Sequence, residues 1–153
     1  MHATPFLARF RTLIAGAFSV LCCAAALARP IPTHVLVGSY PAAAHPGEVV
    51  TIPVRLGYQD PHQGYRWVFL PHRALQVQGR LHGGVHSNVP YEIPDVRTDA
   101  NGEARIRVLM PAKLVNGGGR PVATALNVTV RFAGEPPRLA PGDENRTIQI
   151  VIR

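Results

Sequence analysis

The sequence predicts an all-β fold, an antiparallel sandwich of about seven or eight strands. Apolar and polar residues alternate with period two in several separate runs, as they do in strands buried on one face. No segment sustains the 3.6-residue period of an amphipathic helix. Clusters of Gly, Pro, Asn and Asp separate the runs and supply the turns that such strands need.

The strands follow from where the alternation is clearest. Residues 65–70 (YRWVFL) have apolar side chains at both odd and even positions, which predicts a strand buried on both faces with Trp67 in the core. Pro53 lacks an N–H group and predicts an edge or bulged position for its strand. The clearest runs are 50–56, 104–110, 126–132 and 148–152, and weaker candidates are 34–37, 75–78 and 91–96.

The first 28 residues have the order of a secretory signal peptide. Arg9 and Arg11 precede an apolar run that ends in the small residues Ala26-Leu27-Ala28. The run is shorter than the roughly 20 residues that span a bilayer core, which favours cleavage over an anchor. We therefore expect a periplasmic or secreted protein, with residues 29–153 as one domain and no membrane span after cleavage.

Cysteine and charge limit the chemistry of that domain. Both cysteines, Cys22 and Cys23, lie in the predicted signal peptide, so we expect no disulfide and no thiolate site. Fourteen basic and nine acidic residues follow Ala28. The basic residues are scattered, and a solvated surface accounts for them better than a nucleic-acid partner does.

One segment resembles a known family of surface domains. Residues 98–108 (TDANGEARIRV) are similar to the turn and following strand of bacterial immunoglobulin-like domains of the invasin and intimin type. The earlier segment 46–52 (PGEVVTI) resembles the family's early strand. The resemblance implies an immunoglobulin-like sandwich that acts as an exported binding or accessory module for a protein or a cell-surface glycan.

A second resemblance is to the chagasin-type inhibitors of papain-like proteases. The segment Asp60 to Trp67 (DPHQGYRW) is similar to their N-P-T-T-G-[FY]-x-W loop. It implies protease inhibition as an alternative function. Because loops carry recognition on a rigid sandwich, we predict partner contacts in the loops after Leu56, around 82–90 and around 116–120. The residues concerned are Pro61, His62, Gln63, Gly64, Tyr65, Asn116, Gly118 and Arg120.

A third interpretation is a periplasmic metal-binding protein. His82 and His86 flank two glycines and a valine and could share a Zn²⁺ or Cu²⁺ ion with His62 or His72. No other cofactor is expected. No serine lies in a nucleophile motif and Asp99 reads as a turn residue, so we predict no catalytic residue and no enzymatic activity.

Overall fold

Two β-sheets pack face to face in the computed structural model, which describes residues 29–83, 88–111, 123–143 and 147–153. The predicted signal peptide and its cysteines lie outside the described residues. The strands are β1 (His34–Val37), β2 (Ala43–Ala44), β3 (Val49–Asp60), β4 (Arg66–Phe69), β5 (Ala74–His82), β6 (Val89–Tyr91), β7 (Val96–Arg97), β8 (Glu103–Leu109), β9 (Ala125–Phe132), β10 (Gly142–Asp143) and β11 (Ile148–Ile152). A single 3₁₀ turn, Pro61–Gln63, is the helical element of the described residues.

The first sheet is built around β3. Strand β1 pairs with one side of β3, and β8 and then β4 pair with successive parts of the other side. The second sheet has the order β2-β11-β9-β5-β6, with β10 beside β9 and β7 beside β5. Named strands pair antiparallel except for β2 with β11. This confirms the predicted all-β, antiparallel-rich sandwich, with more short strands than expected.

The apolar residues that alternate with polar ones in the sequence are the buried residues of the strands. Along β3, β8, β9 and β11, every second side chain enters the space between the sheets, and the intervening residues face outward. Ile52, Leu56 and Ile106 of the first sheet meet Leu126, Val128 and Ile150 of the second in one apolar core. Burial of these side chains stabilises the sandwich by about 25 cal/mol per Å² of apolar surface removed from water.

Two of the strand predictions need correction. The candidate at 91–96 is divided between β6 and β7, because Asp95 caps the Val77 N–H (2.8 Å) where the pairing with β5 is interrupted. Strand β3 is central rather than at an edge. The Pro53 carbonyl accepts from the Gly38 N–H (2.8 Å), just past the end of β1. The nitrogen of Pro53 faces the same side, where β1 has already ended, so the strand tolerates a residue without an N–H group there.

Thr98 joins three segments beneath the turn that precedes β8. Its side chain is 2% exposed, and its hydroxyl accepts from the Arg73 N–H (2.8 Å) and donates to the Leu70 carbonyl (2.8 Å). The next residue, Asp99, organises the turn itself. Its carboxylate accepts from the N–H groups of Asn101 (2.8 Å) and Glu103 (3.0 Å). The bond from Glu103, and to a smaller extent the bond from Asn101, holds the pKa of Asp99 below its ordinary value.

Replacing Thr98 with valine should destabilise the fold. The change keeps the side-chain volume but leaves two main-chain groups, on Arg73 and Leu70, without their partner. We expect the free energy of unfolding in urea to fall by about 1–3 kcal/mol. Thr51→Val, on the exposed face of β3, is the matched control and should change it by less than about 0.5 kcal/mol. Equal effects of the two substitutions would contradict a structural role for the Thr98 hydroxyl.

Asp99 should make stability depend on acid pH. Because its pKa is lowered in the folded state, the ionised carboxylate stabilises the fold above the unfolded pKa, and this contribution disappears as the pH falls through the lowered value. We expect Asp99→Asn to have a lower Tm than the parent above about pH 5, with the difference narrowing below about pH 4. Thermal melts across that range check this, with Glu92→Gln as an exposed control. A difference independent of pH would be the contrary result.

Candidate functional site

The turn between β3 and β4 is held by one carboxylate. Asp60 Oδ1 accepts from the His62 N–H (2.9 Å), and Oδ2 accepts from Gln63 Nε2 (2.8 Å). The Asp60 carbonyl accepts from the Tyr65 N–H (2.8 Å), which closes the turn. Pro61 begins the 3₁₀ turn, and Gly64 ends it in the left-handed region (φ 68°). The predicted contact loop is therefore a fixed structure.

Tyr65 is displayed by this turn at a cost in backbone energy. It follows Gly64 in the left-handed region itself (φ 60°), and its side chain is 66% exposed. A residue with a Cβ atom pays about 1–2 kcal/mol for that conformation. Strain of this kind is typical of functional sites, because folding alone gives no reason to keep an exposed aromatic residue there.

Trp67 lies outside the core, so the predicted burial of residues 65–70 on both faces is wrong. Trp67 pairs across the strands with Gln59, and Phe69 pairs with Gly57, which places both rings on the outer face of the first sheet. Trp67 is 38% exposed. Val68 instead pairs with Tyr58, which packs against the core. The apolar run gave no preference for either face, and the pairing with β3 decided it.

Gly57 makes room for the rings. A Cβ atom there would lie 3.0 Å from Cδ1 of Phe69 and 2.8 Å from the Val68 carbonyl oxygen. The rings of Phe69 and Trp67 are stacked, with centroids 6.3 Å apart and planes inclined by 8°. The Arg55 guanidinium, paired with Glu103, lies 5.1 Å from the Phe69 centroid. Together they form an ordered row of side chains on the outer face.

His34 connects this row to a cleft. Its ring meets the Trp67 ring edge to face, with centroids 5.9 Å apart and an interplanar angle of 83°. On its other side is an open cleft of about 450 Å³, here called the aromatic cleft. None of its lining residues is acidic. They are residues 29–32, His34, Gln59, Pro61 and Tyr65.

Sequence reasoning found one wall of this cleft and missed the other. The predicted contact residues Pro61 and Tyr65 line it, and His62, Gln63 and Gly64 form the turn behind them. His34 and Gln59 were missed because each lies on a strand whose neighbours are set by long-range pairing. Arg29 was missed because no local pattern marks it. The predicted contact residues Asn116, Gly118 and Arg120 lie outside the described residues.

The histidines are spread over the domain. His62 is on the β3–β4 turn, His72 precedes β5, and His82 ends it. Nine residues of extended strand cover about 30 Å, so His72 and His82 cannot bind one ion. Within 29–83, 88–111, 123–143 and 147–153 no three His, Cys, Asp or Glu side chains are grouped to hold a metal. His86 lies outside those ranges.

Comparisons with known proteins give no family. No protein-family model and no curated protein matches the chain. Among solved structures, the chain is similar to the β-glucosidase from Listeria innocua in complex with gluconolactone, with 12% identity and a TM-score of 0.43, and to its isofagomine complex, with 12% identity and a TM-score of 0.42. Each match covers 78% of this chain and 16% of the glucosidase chain. The described residues contain no helix of the length and hydrophobicity that a membrane crossing requires.

Replacing Tyr65 with asparagine should leave the fold as stable as before or more so. Asparagine adopts the left-handed conformation more readily, and the exposed ring of Tyr65 contributes little burial. Urea unfolding should show a change between zero and about +1 kcal/mol. The control is Tyr58→Asn, which removes a ring packed against the core and should cost about 2–4 kcal/mol. Comparable losses in both variants would show that Tyr65 is a structural residue.

Proposed function

We propose that this chain is an exported binding module without catalytic activity, and that it contacts its protein or glycan partner through the aromatic cleft and the adjoining Trp67. The supporting observation is the display of Tyr65, an exposed ring held by a rigid turn in a costly conformation. Rigid aromatic side chains give large contact area for little loss of conformational entropy, which is why they dominate recognition surfaces.

The surface differs from a general loop surface in one respect. Its polar groups, the Gln59 amide and the His34 imidazole, project from paired strands, so the sheet fixes their positions. The turn residues and residues 29–32 lie outside the named strands. Asp60 fixes the turn, and the main-chain bonds of Ile31 to Arg138 and Ala140 hold the segment before β1. A surface arranged before binding pays little ordering entropy when a ligand arrives.

Trp67 is the one tryptophan of the chain, so its emission reports on this surface alone. We expect a polysaccharide or a protein fraction of the cell envelope to change the emission of the purified protein. Tyr65→Asn should abolish the response, while Gln78→Ala, on the outer face of the second sheet, should retain it. If neither fraction acts on the parent, or if both variants respond like the parent, the surface is not the binding site.

The same turn supports a second candidate, inhibition of papain-like proteases. A projecting turn that is already rigid suits insertion into a protease cleft. Of the four residues that match the inhibitor loop, Pro61, Gly64 and Tyr65 belong to this turn, and Trp67 follows on β4. Titrating papain with the protein tests this function. Stoichiometric loss of hydrolysis that Tyr65→Asn weakens would support inhibition, and unchanged hydrolysis at excess protein would remove the candidate.

A further inference from the structure

We infer that the aromatic cleft binds an acidic saccharide, a sugar chain that carries carboxylate groups such as those of uronic acids. This inference rests on the proposed function and names its ligand class. Three properties of the cleft support it, namely its charge, the state of its main-chain groups and the kind of side chains that face the solvent.

Charge favours an anionic ligand. The lining includes the Arg29 guanidinium and no acidic residue. Among the described residues, the ion pairs are Arg55 with Glu103 and Arg73 with Glu135, so Arg29 has no carboxylate partner there. Asp60 is not among the lining residues, and both of its carboxylate oxygens accept hydrogen bonds within the turn. A guanidinium without a partner binds a carboxylate through two parallel hydrogen bonds.

The main chain of the cleft has few groups to offer a peptide. Pro30, Pro32 and Pro61 have no N–H group. The Ile31 N–H donates to the Arg138 carbonyl (2.9 Å), and the Ile31 carbonyl accepts from the Ala140 N–H (2.9 Å). The Tyr65 N–H is engaged with the Asp60 carbonyl. An extended peptide gains its affinity from main-chain pairing with a free strand edge, and the segments at Ile31 and Tyr65 provide no such edge.

Recognition must therefore come from side chains, and these suit a sugar. The exposed ring of Tyr65 offers an apolar face for the C–H face of a pyranose, and the Trp67 ring contacts the lining residue His34. The Gln59 amide and the His34 imidazole can both donate to and accept from hydroxyl groups. An apolar wall with a few fixed polar groups is the usual composition of a small-ligand site.

The test uses two ligands with the same sugar backbone, one with free carboxylates and one with each carboxylate neutralised as a methyl ester. Calorimetry and Trp67 emission are measured with an oligogalacturonate and with the same oligomer as its methyl ester. We expect the acid to bind at least about tenfold more tightly than the ester, in a manner weakened by salt. Arg29→Gln should remove most of this difference and leave binding of the ester unchanged. Arg131→Gln, an exposed arginine of the second sheet, is the charge-matched control and should retain it.

The contrary results are distinct from failure of the proposed function. Equal affinity for acid and ester, or an Arg29→Gln variant that discriminates like the parent, would overturn the anionic site. Tighter binding of an oligoglutamate of equal charge would replace the saccharide with an acidic peptide. If none of these probes binds while an envelope fraction still gives the Tyr65-dependent response, the ligand class is wrong and the binding module stands. Unfolding curves of both arginine variants confirm that each remains folded.

Discussion

The molecule depends on the length of β3. This twelve-residue strand pairs with β8 along its first part and with β4 along its last, while β1 lies on its other side. The pairing with β4 includes Gly57, whose missing side chain lets Phe69 lie across the sheet. The first part of β3 supplies core residues, and its last part leads into the turn and pairs with β4, which carries the rings. One strand therefore joins the core of the domain to the proposed binding surface.

The sequence was most informative where a sheet is buried on one face. Val50, Ile52 and Val54 alternate with outward residues because the pleat turns successive side chains to opposite sides, so composition and period agree. The role of Asp99 was also legible, since a short carboxylate before Asn-Gly caps the turn locally. Both features depend on neighbours in the chain, and no knowledge of distant pairing is needed to find them.

Only part of the candidate site could be predicted from the sequence, and the reason is physical. Trp67 belongs to a run with apolar side chains at both odd and even positions. Which face of the sheet it occupies depends on its pairing with Gln59 across the turn. His34 reaches the same place only because β1 pairs with β3. Strands as short as β7 and β10 are too brief to show a period. Local pattern predicts which residues form strands, whereas register decides which side chains meet.

The hydrogen bonds that hold the walls of the aromatic cleft have a consequence for how such a domain changes over time. Asp60 and Gly64 maintain the turn, and the pairing of Ile31 with residues 138 and 140 maintains the opposite wall. The side chains of residues 29, 34, 59 and 65 take part neither in holding the turn nor in the pairing of Ile31. Selection can therefore change these four side chains without changing the sandwich that carries them. The specificity of the proposed binding surface can then evolve independently of folding. For the same reason, a library randomised at these positions would be expected to yield mostly folded members.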